Sequence, residues 1–313
     1  MLVLVRLHSR SRVQSKRGAM LTDHPTDIRS NAVDIIKWMG VEPAIRNAST
    51  HEEGVQFVRS NGSEIATLRA TGRSDVQAIT SEYEIFRGAL AQIFLEPILN
   101  KVDLVLDETI ESYEQDNDKV TVTFTKSHKT ESYDLLVGAD GYTSKIRGTM
   151  LGRKPSEQIR DEGLHVAYFT INRDLLRGSK LAKGYSTTGG RIMILRPDPH
   201  PSGRVRAMFM NSTLPSDTIT RERLNRALRE GDGAYKRLME GMFTGTGWLS
   251  NEMLAGMRES EDFYCSVFAQ TRSPKLHDGR VVLLGDAGYA LPGFGTSAAI
   301  MGAYVLAGGD VAL

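Results

Sequence analysis

The sequence predicts a mixed α/β (α+β) fold in which one domain is interrupted by an inserted antiparallel sheet. Two segments, 133–147 and 279–313, each contain a short apolar strand, a turn of Gly and Asp, and the start of a helix. Between them, residues 156–265 carry short strand-like segments separated by loops rich in Gly, Ser, Thr and Pro. Such short strands with turn-rich connections are typical of antiparallel sheets. The two similar units therefore predict a discontinuous α/β domain around an antiparallel insertion.

The composition is that of an ordinary globular protein: 313 residues, 40% apolar and 25% charged, which is enough for one large or two ordinary domains. The 39 basic and 38 acidic residues nearly balance, which argues against nucleic acid or an anionic membrane as a partner. The single cysteine, Cys265, excludes an intramolecular disulfide. Seven histidines without ligand spacing predict no metal site. A reducing, cytoplasmic location is expected, and the oligomeric state is left open.

Residues 1–25 form an atypical basic segment in which no acidic residue precedes Asp23. An Arg- and Ser-rich start without acids resembles a mitochondrial presequence. The alternatives are a disordered basic arm and a start that does not belong to the ancestral fold. A mitochondrial location therefore stays open beside the cytoplasmic one. The basic residues are Arg6, Arg10, Arg12, Lys16 and Arg17.

The next hundred residues predict helices, a hairpin and a three-stranded antiparallel meander. The apolar spacing of 26–39 predicts an amphipathic helix, and a second short helix follows. Asn61-Gly62 is a hairpin turn signal. Ser81 or Thr80 with Glu84 resembles a capping box, which predicts a helix that carries Arg87. The predicted helices are 26–39, 42–48 and 80–99, the hairpin is 51–69, and the meander strands are 102–106, 109–115 and 120–124.

The inserted segment predicts four strands and a pair of helices. The helices span 218–242 and are broken at Gly231-Asp232-Gly233. A mostly antiparallel sheet is expected from the strands, which are predicted at 163–172, 191–196, 205–211 and 264–270.

The first strand–turn–helix motif is YDLLVGADGYTSKIR, residues 133–147. A buried strand is predicted at 135–137, followed by a turn at Gly138, Asp140 and Gly141. Ser144 can cap the helix that carries Arg147. The motif therefore places a carboxylate and free main-chain amides at a strand end, which suits a nucleotide-type cofactor.

The second motif, residues 279–313, has the same plan. The apolar run 281–284 predicts a strand buried on both faces, and Gly285 allows the sharp turn that presents Asp286. A glycine-rich loop through Gly295 then leads to a helix that Thr296 and Ser297 can cap. Two alternatives remain: an ordinary strand–loop–helix without a ligand, and a membrane span.

The membrane alternative rests on the 23 uncharged residues from Ala287 to Gly309, which are long enough to cross a bilayer. Pro292 and six glycines lie inside this run, and no basic cluster flanks it. A membrane location is therefore not expected.

Together, the motifs resemble those of the FAD-dependent monooxygenases of the p-hydroxybenzoate hydroxylase type, which include aromatic and polyketide hydroxylases. DLLVGADGYTSKIR is similar to the family's DG motif, and GRVVLLGDAG is similar to its GD motif. Arg87, in EIFRGAL, stands where the family has a flavin-contacting arginine. The resemblance covers roughly residues 25–313.

This resemblance implies a Rossmann-like FAD-binding domain, incomplete at its N-terminus, with an inserted substrate domain. The implied FAD-binding parts are 26–50, 76–155 and 266–313, and the implied substrate parts are 51–75 and 156–265. Asp286 is implied to bind the ribityl chain or the pyrophosphate side of FAD. The remaining implied contacts to FAD or to NAD(P)H are Arg87, Asp140, Gly141, Ser144, Arg147, Gly285, Gly295, Thr296 and Ser297.

The activity that the resemblance implies is hydroxylation of an aromatic or polyketide-type small molecule in secondary metabolism. NAD(P)H reduces the flavin, and one atom of O2 is transferred to an electron-rich ring. Because the flavin carries this chemistry, no catalytic acid or base is assigned. Another flavin oxidoreductase of the same fold, such as a reductase, dehydrogenase or halogenase, remains an alternative.

The chain also departs from the family pattern. Residues 1–25 contain no GxGxxG, and Gly18 is their single glycine. The ribose-binding acid of the second strand is missing, the loop PGFG is short, and Tyr289 stands where His is common. The chain stops at Leu313, inside the helix that follows the loop. These departures predict an absent pyrophosphate cradle and leave open a non-enzymatic remnant that does not hold FAD.

Overall fold

The computed structural model describes residues 2–5, 11–15, 25–71 and 81–308, the first two ranges as backbone only. The strands are β1 (Leu2–Val5), β2 (Ser11–Ser15), β3 (Pro25–Asp27), β4 (Gly54–Val58), β5 (Glu64–Arg69), β6 (Glu84–Phe86), β7 (Val102–Leu106), β8 (Ile110–Gln115), β9 (Val120–Phe124), β10 (Thr130–Tyr133), β11 (Leu135–Gly138), β12 (Ile159–Ile171), β13 (Leu181–Thr187), β14 (Arg191–Pro197), β15 (Val205–Ser212), β16 (Tyr264–Thr271), β17 (His277–Asp278) and β18 (Val281–Leu283). The helices are α1 (Ala32–Trp38), α2 (Glu42–Asn47), α3 (Arg87–Leu95), α4 (Lys145–Leu151), α5 (Thr218–Glu230), α6 (Asp232–Phe243), α7 (Ser250–Glu259), α8 (Asp286–Tyr289) and α9 (Gly295–Leu306), with 3₁₀ turns at Glu96–Ile98 and Pro155–Gln158.

The chain divides into two compact units. Unit 1 comprises the described residues of 1–48, 85–160 and 269–313, and it contains both strand–turn–helix motifs. Unit 2 comprises those of 49–84 and 161–268. Helices and sheets occur in both units, so the predicted mixed α/β class is confirmed.

Unit 1 is built on a sheet of strand order β17-β18-β11-β1-β2-β7. β11 is parallel to β18, and β2 is parallel to β7. β1 is antiparallel to both β11 and β2. Four of these strands, β2, β7, β11 and β18, therefore run in the same direction and end at one edge of the sheet.

Of the alternatives for the N-terminus, a disordered arm is wrong for 2–5 and 11–15, which are strands β1 and β2 of this sheet. The apolar LVLV of β1 pairs along the whole of β11, and strand pairing satisfies main-chain groups that a buried sheet cannot leave open. The other charges of the expected arm, Arg6, Arg10, Lys16 and Arg17, lie outside the described residues.

The predicted meander needs a second correction. β7 leaves it and pairs with β2, while the antiparallel sheet is formed by β8, β9 and the unpredicted β10. Side chains of this sheet pack with α4 and β18 in one apolar core, formed by Ile110, Val120, Val122, Phe124, Tyr133, Leu136, Ile146, Met150, Val281 and Leu283.

Two predicted helices begin later than expected because their first residues are extended. β3 and β6 pair as a two-stranded sheet, so the helices start at Ala32 and Arg87. Ser30 has a φ of 57°, which interrupts any helix before α1. Ser81 and Glu84 do not cap α3, whose N-cap is Phe86; Glu84 lies in β6 and accepts a hydrogen bond from the Thr50 hydroxyl (2.9 Å). Thr80 lies outside the described residues.

Unit 2 is built on a sheet of strand order β16-β12-β15-β14-β13-β4-β5. The hairpin β4–β5 is confirmed, as is the break between α5 and α6 at Gly231, where φ is 96°. Strand β13 was partly predicted as a loop, and α7 was not predicted. Helices α5, α6 and α7 cover one face of the sheet, where the core includes Phe169, Met193, Phe209, Leu224, Met239, Phe243 and Met257.

Among the described helices, none is long and apolar enough to cross a bilayer. The uncharged run that starts at Ala287 is divided between α8, a turn and α9.

His165 is a buried histidine between the sheet of unit 2 and α5. Its Nε2 lies 2.9 Å from Asn225 Oδ1, and Asn225 Nδ2 donates to Asp161 (3.0 Å). Burial lowers the pKa of His165 below its ordinary 6.5, and Asn225 and Asp161 oppose this effect. The unfolded chain therefore binds a proton at a higher pH than the folded chain does.

This difference predicts that the free energy of unfolding falls as the pH drops below about 6.5, with a slope of up to about 1.4 kcal/mol per pH unit from His165. Urea unfolding at several pH values between 7.5 and 5 measures the slope. His165→Gln is expected to reduce it, whereas His200→Gln, at an exposed position in the same unit, keeps the wild-type slope. An unchanged slope in His165→Gln contradicts the assignment.

Candidate functional site

The two sequence motifs meet at one edge of the unit 1 sheet. β11 and β18 are neighbouring parallel strands, with Gly138 opposite Leu283. The pairing continues past β18, where the Leu284 amide donates to the Gly138 carbonyl oxygen (2.8 Å). Parallel strands end at the same edge of a sheet, so Asp140 and Asp286 leave the sheet on the same side. Open α/β sheets bind ligands at this edge.

The DG turn, residues 138–141, is held by hydrogen bonds of the Asp140 and Ser144 side chains. Ser144 caps α4 as predicted, because its Oγ accepts from the Arg147 amide (2.9 Å). The same hydroxyl donates to Asp140 Oδ1 (2.6 Å), and Asp140 Oδ2 accepts from the amides of Lys145 (2.8 Å) and Ile146 (3.3 Å). A carboxylate at a helix N-terminus is favoured by the helix dipole. Both oxygens of Asp140 thus have partners within the protein.

Gly141 is the open part of this turn. Its φ is 88°, and a Cβ placed on it has no atom within 4 Å. The left-handed backbone favours glycine here, and the absent side chain leaves the main chain accessible.

Arg147 joins the DG turn to the GD turn. Its side chain is fully buried. One terminal nitrogen, Nη1, donates to the Ala287 carbonyl (2.6 Å), and Nη2 donates to the carbonyls of Tyr142 (2.6 Å) and Pro155 (3.1 Å). Burial lowers the pKa of Arg147, and the negative charge of Asp140 opposes this effect. The geometry makes Arg147 a link between the two turns.

The GD turn is formed by Gly285 and Asp286, and Asp286 is exposed. Gly285 has a φ of 62° and precedes α8, whose first residue is Asp286. The main chain of Asp286 is fixed by Thr271, whose Oγ1 donates to its carbonyl oxygen (3.0 Å). The side chain is exposed and lies against Gly295, where an added Cβ would be 3.0 Å from Oδ1.

Arg87 acts on this carboxylate. Partial burial of the carboxylate against surrounding protein raises the pKa of Asp286, and the positive charge of Arg87 opposes this rise. Arg87 is the first residue of α3 and is exposed. Within the described ranges its guanidinium forms no hydrogen bond or ion pair. The structure therefore brings Arg87 and Asp286 into one charged site, although 199 positions separate them in the sequence.

The N-terminus of α9 completes the site. Phe294 is the N-cap and makes no capping hydrogen bond through its side chain, so the prediction that Thr296 and Ser297 cap the helix is wrong. These residues lie in the first turn, and their hydroxyls bond the segment before α1. Thr296 Oγ1 lies 2.7 Å from Thr26 Oγ1, and Ser297 Oγ accepts from the Arg29 amide (2.9 Å).

The main-chain amides of this first turn remain open. Ala298 N–H donates to the Phe294 carbonyl (3.0 Å). The amides of Gly295, Thr296 and Ser297 have no acceptor among residues 25–71 and 81–308. Unpaired amides at a helix N-terminus favour an anion or an electron-rich oxygen.

The site therefore offers an exposed carboxylate, an exposed guanidinium and three free amides. A carboxylate accepts hydrogen bonds from ligand hydroxyls, while the guanidinium and the amides attract negative charge. Thr26, Arg29, Thr271 and Ala287 support these groups, and local sequence patterns carried no signal for them. In the part of the chain that is described, no three His, Cys, Asp or Glu residues lie together as a metal site.

No protein-family model matches the chain. The FAD-dependent monooxygenase asL4 of Sarocladium schorii is 34% identical over 290 residues, 90% of this chain and 65% of the relative. Monooxygenase CTB7 of Cercospora beticola is 31% identical, and the alignment covers 90% of this chain and 68% of the relative. A flavin-dependent monooxygenase of Legionella longbeachae is 31% identical, and the alignment covers 90% of this chain and 69% of the relative. The chain thus spans about two thirds of the length of these relatives.

Solved structures show the same fold. The tetracycline destructase Tet(55) superposes with a TM-score of 0.74 at 29% identity, over 92% of this chain and 70% of that one. Klebsiella pneumoniae HpxO, solved with FAD and uric acid, gives a TM-score of 0.68 over 91% of this chain and 69% of that one. At 20% identity, the second similarity supports the fold alone.

Proposed function

The chain belongs to the flavin-dependent monooxygenases, as its paired motifs predicted, and we propose that it hydroxylates an aromatic or polyketide-type small molecule in secondary metabolism. NAD(P)H is the proposed reductant and O2 the oxygen source. The observation that supports this proposal best is the common edge of β11 and β18. Asp286 follows β18 at that edge, beside the charge of Arg87 and against Gly295 at the start of α9, and these groups form a donor and acceptor set that suits FAD.

The proposed cofactor contacts follow from the groups that are open. Asp286 accepts hydrogen bonds from hydroxyls on the ribityl chain or on the pyrophosphate side of FAD. The amides of Gly295, Thr296 and Ser297 face a phosphate or the electron-rich edge of the flavin ring. Arg87 supplies a positive charge beside them, and Gly285 allows the turn that presents Asp286. When bound, FAD supplies electron transfer and oxygen activation.

The DG residues serve the same site less directly. Asp140 and Ser144 close the N-terminus of α4, and Arg147 fixes the spacing of the two turns. Gly141 leaves room for the main chain to approach FAD or NAD(P)H. These four residues are proposed to shape the cofactor site from its DG side.

We propose that FAD binding and substrate binding belong to different parts of the chain, divided at the predicted boundaries. Residues 26–50, 76–155 and 266–313 bind FAD, and residues 51–75 and 156–265 bind the substrate. Tet(55), whose name states that it acts on tetracycline, supports a polycyclic molecule of polyketide type as the substrate.

The decisive experiment is the visible absorption spectrum of the purified chain, before and after incubation with FAD. A flavin spectrum, oxygen consumption with NADH or NADPH, and a product that carries one added oxygen atom are expected. A colourless protein that takes up no added FAD would refute the proposal. Flavin that is bound and reduced, without oxygen transfer to any aromatic substrate, would indicate another flavin oxidoreductase.

Gly295→Ala tests the cradle around the carboxylate. The added Cβ, 3.0 Å from Asp286 Oδ1, is expected to displace the carboxylate and weaken FAD binding roughly tenfold, equivalent to about 1.4 kcal/mol. Flavin fluorescence titration measures the dissociation constant. Gly241→Ala, in α6 with open space around its Cβ, is the matched control and keeps wild-type affinity. Equal affinity in both variants contradicts the role of Gly295.

A further inference from the structure

The side chain of Tyr289 joins the GD turn to the middle of α9. Tyr289 is the last residue of α8, the one-turn helix that begins with Asp286, and its amide donates to the Gly285 carbonyl (2.9 Å). A Cβ added at Gly302 would overlap the Tyr289 hydroxyl oxygen and lie 2.9 Å from Cζ of the ring. The ring therefore contacts α9 about two turns after the N-terminus of that helix.

Three positions of α9 lie against the GD turn and the end of α8. An added Cβ at Gly295 would be 3.0 Å from Asp286 Oδ1, and an added Cβ at Gly285 would be 3.3 Å from the Cβ of Ala299. With Gly302, these positions of α9 are spaced i, i+4 and i+7, which is one face of a helix. Because this face carries only glycine and alanine, α9 lies directly against the turn that carries the carboxylate.

Gly302 is not required by the backbone of α9. Its φ lies outside the left-handed region, and glycine inside a helix is less favourable than alanine. The atoms that an added Cβ would meet are the hydroxyl and ring of Tyr289 and, at 3.2 Å, Cδ1 of Leu284. The glycine therefore makes room for the Tyr289 hydroxyl.

The Tyr289 hydroxyl is enclosed, yet it has no hydrogen-bond partner among the residues that the structure describes. Burial raises the pKa of Tyr289; the main chain of Gly285 opposes this rise, and the negative charge of Asp286 adds to it. The hydroxyl thus lies close to both residues of the GD turn. An enclosed hydroxyl without a partner is destabilising, so stability alone favours phenylalanine at this position.

We propose that Tyr289 is a positioning residue whose hydroxyl, in contact with Gly302, fixes the distance between the Asp286 carboxylate and the open amides of α9 and thereby sets the affinity for FAD. The proposal rests on the proposed monooxygenase function for the identity of the ligand. The position of α9 relative to the GD turn is a property of the chain without FAD, so it is measured separately.

Tyr289→Phe separates positioning from stability. Loss of the unpaired hydroxyl is expected to leave the melting temperature at or above that of the wild type, whereas FAD binding weakens roughly fivefold because α9 is no longer held in place. A merely structural role would move both quantities in the same direction. Tyr235→Phe is the matched control, because Tyr235 is buried in α6 and its hydroxyl also lacks a partner in the described part of the chain. It is expected to keep wild-type affinity.

Gly302→Ala changes the other side of the contact. The added methyl group overlaps the hydroxyl, so FAD binding is expected to weaken roughly tenfold. The double variant Tyr289→Phe/Gly302→Ala lacks the oxygen that the methyl group meets, and it is expected to bind FAD roughly fivefold more tightly than Gly302→Ala does. Gly241→Ala, in α6 with open space around its Cβ, should bind like the wild type. Flavin fluorescence titration measures all five variants.

Hydrogen exchange of the FAD-free chain reports on α9 without a cofactor. Peptides from α9 are expected to exchange roughly fivefold faster in Tyr289→Phe and Gly302→Ala than in the wild type, and more slowly again in the double variant. If Gly302→Ala does not fold, Tyr289→Phe carries the test. Unchanged exchange in the single variants, or wild-type FAD affinity in Tyr289→Phe, overturns the proposal. Exchange that depends on both residues in a chain that takes up no FAD refutes the monooxygenase function alone.

Discussion

Replacement of Asp286 with alanine is expected to abolish FAD retention. The carboxylate is exposed at the end of β18, beside the charge of Arg87 and against Gly295. Each hydrogen bond that a carboxylate accepts from a ligand hydroxyl contributes about 1.5–3 kcal/mol, so its loss weakens FAD binding roughly 10- to 100-fold per bond. The flavin content of the purified protein and a fluorescence titration with FAD measure the effect.

Two further variants make this result specific. Asp286→Asn keeps the shape and removes the charge, so it is expected to retain FAD more weakly than the wild type and more strongly than alanine. Asp278→Ala removes an exposed carboxylate that pairs with Lys275 (3.0 Å) in the same unit, and it should leave flavin content unchanged. Wild-type flavin content in Asp286→Ala would remove Asp286 from the cofactor site.

The raised pKa of Asp286 adds a pH dependence to the same experiment. Its carboxylate takes up a proton at a higher pH than an ordinary aspartate, whose value is 3.8. FAD retention of the wild type should therefore decline on acidification before ordinary carboxylates are protonated. Asp286→Asn should lack this step, because the amide does not titrate.

The turns of the site could be predicted because their determinants are local. A strand, a glycine, an aspartate and a capping serine all lie within the fifteen residues of 133–147, and the structure confirms the strand and the Ser144 cap. Side-chain caps act over three or four residues. A single stretch of sequence is therefore enough to specify them.

Partners that are distant in the sequence could not be predicted. The side chain of Arg147 donates to the carbonyl of Ala287, and the hydroxyl of Ser297 accepts from the amide of Arg29. Both contacts depend on which strands become neighbours. The predicted helix starts failed for the same reason, since the β3–β6 pairing keeps both segments extended.

The N-terminal strands and β13 show how composition can hide a strand. Basic residues around β1 and β2 favoured an arm, yet the main chain of β1 pairs with β11 over its whole length. In β13, Gly184 and the residues after it favoured a loop, because glycine weakens a strand. The pairing of β13 with β14 and β4 outweighs that preference.

Replacement of Arg147 is expected to have the largest effect on stability. The side chain is fully buried, and its two terminal nitrogens satisfy three carbonyl oxygens, those of Ala287, Tyr142 and Pro155. A buried acceptor left without a partner costs about 1–3 kcal/mol, so Arg147→Ala should lose about 3 kcal/mol or more. At about 2–4 °C per kcal/mol, this corresponds to a melting temperature lower by roughly 6–12 °C.

The same substitution is expected to reduce FAD retention, although Arg147 is not a surface group. Without the bond to Ala287, one of the links between the GD turn and the DG turn is lost, so the position of Asp286 is held less firmly. Arg147→Lys keeps the charge but lacks the planar fork that reaches three carbonyls, so it should recover only part of the stability and flavin content. Arg153→Ala, at an exposed position just after α4, is the control and should melt like the wild type. If Arg147→Ala melts at the wild-type temperature and holds wild-type flavin, the two turns do not depend on this link.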